Sequence, residues 1–167
     1  MAKPLTDKSN PNKRKLKFQN FDEVMIEVQR LLENGYVSHG KWNLAQSLVH
    51  LHDWMRFPMD GFPTQPLPIR GMMWVMSKTV APAMLKKIIA NGFSDGGPTM
   101  PSTVPPPDVM SDEASAKQYQ ETIERLMSHD GQMHRSPLFG PMDRERVEQL
   151  NLLHAAHHLG FLEPQLN

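Results

Sequence analysis

Cysteine is missing from all 167 residues, which removes disulfide frameworks, thiolate zinc sites, iron–sulfur clusters and thiol nucleophiles from consideration. A metal held by this chain is therefore held by His and carboxylates. An excess of one charge sign is missing too. The 18 Lys and Arg balance the 18 Asp and Glu, which argues against a chain built mainly to hold nucleic acid or a membrane surface. No apolar run approaches the roughly 20 residues that cross a bilayer. The N-terminal residues start basic but contain no apolar stretch of the secretory kind, so the expectation is a cytoplasmic protein. Strand-type alternation and internal repeats are absent as well, and the length suits one domain with a real core.

The chain is rich in Pro, Met and His, at 15, 13 and 8 residues. Residues 1–18 carry Lys3, Lys8, Lys13, Arg14, Lys15 and Lys17 with two prolines and few apolar groups, and read as a basic disordered arm. Residues 19–167 read as a single helical domain. Asn20 with Glu23 three residues on signals a helix start, and Asn34-Gly35 its end. A second helix is expected from the Asn43 cap to Phe57, stopped by Pro58. A third segment, from about Ile69 to Ala90, is helical in pattern, and Pro82 should kink or split it. A long Pro-rich loop at 93–110 precedes a helix capped by Ser111, and a last helix is capped by Asp143. The fold class is therefore all-α, with four main helices plus the Pro-interrupted segment.

Five of the eight His lie in two of these helices. On a helical wheel, Val147, Leu150, His154, His158 and Phe161 share one face about 80° wide, with His157 at its edge beside Leu153. His154 and His158 thus point to the expected interior, one turn apart, where two imidazoles can reach one cation. In the second helix His50 shares a flank with Trp54 and Phe57, whereas His52 falls about 160° away. His50, His154 and His158 make a facial three-His set that suits a divalent transition metal, zinc or nickel foremost, and leaves a position open for water or substrate. Two readings compete: His154 paired with His157 at i,i+3, and an ordinary set of hydrogen-bonded or surface His.

The stretch from Trp42 to Leu51, which contains His50, resembles the Trp…His-Leu motif of the DinB-like metal-binding four-helix-bundle superfamily. The spacing of His154 and His158 resembles its second motif, in the last helix. The chain is most similar to an uncharacterised branch of that superfamily, a domain of unknown function. Asp60-Gly61-Phe62-Pro63, Pro137-Leu138-Phe139-Gly140 and the doubled His157-His158 carry that likeness from about Phe21 to Phe161. The resemblance implies a four-helix bundle of DinB-like type with metal ligands at His50, His154 and His158. Two places depart from the branch: Ser136 stands where His is common, and the doubled His continues into Gly160-Phe161-Leu162 where Leu-Arg-Gln or similar is common.

The expectation that follows is a metal-dependent enzyme of the thiol transferase or hydrolase type. Its partners are a small-molecule substrate and, by the resemblance, a low-molecular-weight thiol. A homodimer stays open, and neither membrane nor nucleic acid is expected. Trp54, Phe57 and Trp74 are expected to line an apolar pocket, covered by the 93–110 loop. The alternative is a non-catalytic metal-binding or stress-response module.

Overall fold

The computed structural model describes residues 10–97 and 99–165 and is mostly helical. The chain runs through α1 (Phe21–Asn34), β1 (Tyr36–Ser38), α2 (Leu44–Asp60), α3 (Leu67–Lys78) and α4 (Ala81–Asn91). A short 3₁₀ turn (Pro101–Thr103), α5 (Asp112–Ser128), α6 (Arg144–Leu159) and β2 (Leu162–Pro164) complete it.

The caps explain where the helices begin. The Asn20 side chain accepts from the Glu23 N–H at 3.0 Å, and Gly35 leaves the helix with φ +69°, a value that disfavours any side chain. Asn43 and Gln46 form a reciprocal capping box at the start of α2, each side chain bonding the other's backbone N–H. The far end of α2 departs from expectation, because the helix runs through Pro58 to Asp60. Pro58 sits in the last turn, so it forfeits only one backbone bond there. The Gly61 N–H closes the turn on the Phe57 carbonyl, and the Pro58 carbonyl accepts from His134 N–H at 2.7 Å.

The segment bearing Pro82 is split, and the break falls at Thr79–Val80 rather than at the proline. Pro82 lies in the first turn of α4, where its missing N–H has no intrahelical partner to lose. The small antiparallel sheet is a further correction to the strand-free reading. It pairs Tyr36 with Pro164, Val37 with Glu163 and Ser38 with Leu162. Strands of three residues are too short to leave an alternating pattern in a sequence.

Four helices share one core. α2 packs on α5 and α6, and α1 packs on the same two. Val28, Leu48, Leu51, Tyr119, Leu126 and Leu159 are fully buried between them. Each such side chain contributes roughly 1.5–3 kcal/mol by leaving water. α3 packs on α4, and α4 on α6, so this hairpin stands against one flank of the core.

The basic arm needs correction for residues 10–18; residues 1–9 lie outside the described residues. Leu16 and Phe18 pack against the core. The Arg14 N–H donates to the Gly160 carbonyl at 2.8 Å, and its guanidinium reaches Glu27 at 2.6 Å and the Leu159 carbonyl at 3.1 Å. Gly160 makes that approach possible, since a Cβ there would lie 2.7 Å from the Arg14 carbonyl oxygen. Composition misled because Lys13 and Arg14 are matched by acids outside the arm, Asp95 and Glu27.

Candidate metal centre

His50 lies in the second turn of α2, and His154 and His158 lie one turn apart on α6, the helix that packs beside it. The packing of α2 on α6 brings three Nε2 atoms together. His154 Nε2 is 3.2 Å from His50 Nε2 and 3.0 Å from His158 Nε2. All three ligand atoms lie within 4.8 Å of one another.

The outer partner of His50 sets its tautomer. Its Nδ1 lies 2.7 Å from the Thr103 carbonyl, which can only accept, so Nδ1 carries the proton and the neutral ring turns a lone pair inward at Nε2. His154 Nε2 has at most one hydrogen to offer two neighbouring nitrogens. A shared cation satisfies all three lone pairs at once, and in that sense the residues fit a metal. Burial is the main reason that all three rings have lowered pKa values, and the neighbouring imidazoles push His154 and His158 down further. Neutral imidazole is the form that ligates.

The other two clustered His engage different partners. His52 faces α5, where its Nδ1 donates to the Thr122 hydroxyl at 2.6 Å while that hydroxyl donates to the Gln118 carbonyl. His157 Nδ1 sits 2.9 Å from Lys13 Nζ and 3.1 Å from the Phe93 carbonyl. Burial and then the Lys13 charge lower its pKa to about 4. Lys13 also pairs with Asp95, whose second oxygen accepts from the Asn10 N–H at 3.0 Å. The N-terminal segment and the loop after α4 therefore meet beside the His cluster.

A mainly apolar cavity of about 800 Å³ opens onto the three His. Trp54 lines it, 5.9 Å from the His154 ring and 6.4 Å from His50 between centroids. Phe57 is buried behind the wall, packed on Trp54 at 6.0 Å and on Phe62 at 5.7 Å, so it supports lining residues rather than joining them. Trp74 is a correction. It is 65% exposed on α3, a helix with no buried residue, and stands away from the cavity wall. Ser136 lines the cavity, and its hydroxyl oxygen accepts from the N–H groups of Leu138 and Phe139, which closes the turn before α6.

Two contributors escaped the reading of the sequence as site residues. Trp42 stacks on His158 at 5.2 Å and 21° and lies 4.8 Å from the His50 ring. It precedes the α2 cap, so no wheel of that helix contains it; its place in the Trp…His motif was the available signal. Thr103 acts through its backbone carbonyl, which leaves no mark in side-chain type. It also ties the 93–110 loop to the centre, and Phe93 from the same loop lies 4.9 Å from His154.

The lowered His values make the metal-free protein acid-sensitive. Each folded-state pKa lies below the 6.5 of an exposed His, so below pH 6.5 the unfolded chain binds protons that the folded chain does not. Stability from these rings is complete above pH 6.5 and is lost as pH falls below it, for His157 down to about 4. His157 alone accounts for on the order of 3 kcal/mol over that window. Melting curves of chelator-treated protein should be flat above neutrality and fall steadily below pH 6.5. A melting temperature unchanged down to pH 4.5 would contradict the neutral, buried assignment.

A model of the family described as "Protein of unknown function (DUF1569)" matches residues 10–165, a span that includes the segment packed against Gly160. No curated protein and no solved structure matches the chain.

Proposed function

We propose that this chain, which belongs to the DUF1569 family of proteins of unknown function, is a DinB-like metal-dependent enzyme acting on a small, largely apolar molecule. His50, His154 and His158 would hold a divalent transition metal, with zinc or nickel as the expected ion. The observation that carries this reading is the convergence of three inward-facing Nε2 atoms at the wall of an apolar cavity of about 800 Å³. The packing of α1, α2, α5 and α6 around one core supports a four-helix bundle of the DinB-like type.

When bound, such an ion lowers the pKa of a water or thiol and polarises a carbonyl. The chain's own residues supply the rest. The Thr103 carbonyl holds His50 in the ligating tautomer, and Trp42 stacked on His158 limits that ring's rotation. Trp54 and Phe93 give the substrate an apolar wall beside His154 and keep bulk water from that side. Lys41 and Lys87 on the cavity lining favour a substrate or thiol with an anionic group.

Untagged protein tests this in two steps. Elemental analysis should find about one zinc or nickel per chain. Panels of activated esters and of electrophiles supplied with small thiols should then show turnover that a chelator removes and the metal restores. Failure to retain any divalent metal overturns the proposal. Full occupancy with no turnover on either panel would reduce it to a metal-binding module.

A further inference from the structure

α3 is built the wrong way round for a helix facing water. It has no buried residue, and its exposed side carries Leu67, Met72, Trp74 and Val75, with Val80 exposed at the turn that follows. On the helical wheel these four α3 residues span one arc of about 160°. Lys78 falls inside that arc and Arg70 about 40° outside it. A helix exposing Leu67 at 76% and Trp74 at 65% keeps apolar surface in water unless something covers it.

Charge identifies what covers it. Over residues 61–94 there are four cations, Arg70, Lys78, Lys86 and Lys87, and no Asp or Glu, although the whole chain is balanced. All four cations are exposed; Lys87 also lines the cavity, while Arg70, Lys78 and Lys86 do not. A second copy docked through the same face about a two-fold axis would set these cations against one another. Nucleic acid would match the charge but leave four large aliphatic and aromatic side chains without an apolar partner. An anionic bilayer matches both features. Leu, Met and Val enter the acyl boundary, Trp settles at headgroup depth, and Lys and Arg extend to the phosphates. No helix among the described residues is long and apolar enough to cross a membrane, so α3 would lie in the interface plane.

We propose that the α3–α4 hairpin is a docking surface for bilayers containing anionic phospholipid. The argument is independent of the metal. It does bear on the cavity, because Met76 of α3 and Met84 and Ile88 of α4 line the cavity from the hairpin's other side. Docking would place the wall of an apolar cavity against a source of apolar molecules.

The test is cosedimentation of the full untagged chain with vesicles of phosphatidylcholine, with and without phosphatidylglycerol, at low and high salt. Binding should be about tenfold tighter to the anionic vesicles and weaken at high salt. Leu67→Ser with Trp74→Ser should lower it about tenfold, and Arg70→Gln with Lys78→Gln should lower it similarly on anionic vesicles alone. Both pairs are on the exposed face, so unchanged melting temperatures check that the fold is intact. If the serine pair does not fold, the glutamine pair decides. Absence of binding, equal binding to both vesicle types, or variants that bind like the parent would overturn the proposal. So would a dimer dispersed by the serine pair in a protein that ignores vesicles.

Discussion

His154→Ala should cost the protein roughly a hundredfold or more in affinity for added zinc or nickel, beyond the 10–100-fold usual for an outer partner of a ligand. His154 is the nitrogen common to both close approaches, 3.2 Å from His50 and 3.0 Å from His158. Its removal leaves one imidazole on each of two helices and no third donor between them. His50→Ala and His158→Ala should behave alike, each reducing three donors to two. His52→Ala should leave affinity unchanged, because its ring is committed to Thr122 on α5. His157→Ala should change it by less than about tenfold, since that ring touches Lys13 and Phe93 and acts on the centre through packing. Competition against a chelating dye measures all five variants. Equal losses across them would remove the three-His assignment.

Arg14→Ala should destabilise the fold by about 3 kcal/mol, read as a shift in the urea midpoint. The Arg14 side chain is 20% exposed and that of its partner Glu27 only 10% exposed. Truncating the cation leaves a carboxylate inside the α1 surface with Arg30, 3.8 Å away, as its remaining counter-ion. The lost bond to the Leu159 carbonyl adds to the cost. Combining Arg14→Ala with Glu27→Leu should recover much of the loss, because the penalty lies in the stranded charge rather than in the absence of the pair. A loss below about 0.5 kcal/mol would mean that residues 10–18 rest on the surface without supporting the fold.

The helices were legible because their signals are short-ranged. Asn20, Asn43, Ser111 and Asp143 each cap a helix through a side chain bonded to an N–H three residues on. Such pairs stand out in any reading of the chain. The same locality explains the two misplaced boundaries. Whether Pro58 ends a helix depends on what its carbonyl meets, and here it meets His134, which is remote in sequence. Pro82 marks a break but fits the turn just after it.

Aromatics were read less well than His. Trp54 and Trp74 look equivalent as large apolar residues in helical segments, yet one lines the cavity and the other is 65% exposed. The difference is that α2 lies between α5 and α6, while α3 packs on α4 at the flank. Charge failed for a related reason. A balanced total concealed both the matched Lys13, Arg14, Glu27 and Asp95 and the cations of the α3–α4 hairpin, which carries no acid of its own.

By itself the sequence determined that the chain is helical, that His154 and His158 share a helix face and that His50 and His52 cannot. Each of these follows from the 3.6-residue period and needs only a few neighbouring residues. Tertiary structure alone decided that α2 packs on α6 so that His50 closes the set, and that the Thr103 carbonyl turns its Nε2 inward. It alone placed Arg14 on Gly160 and left Trp74 in the open. These contacts join residues as many as 146 positions apart, and they are settled by how whole helices bury their apolar faces rather than by any local rule.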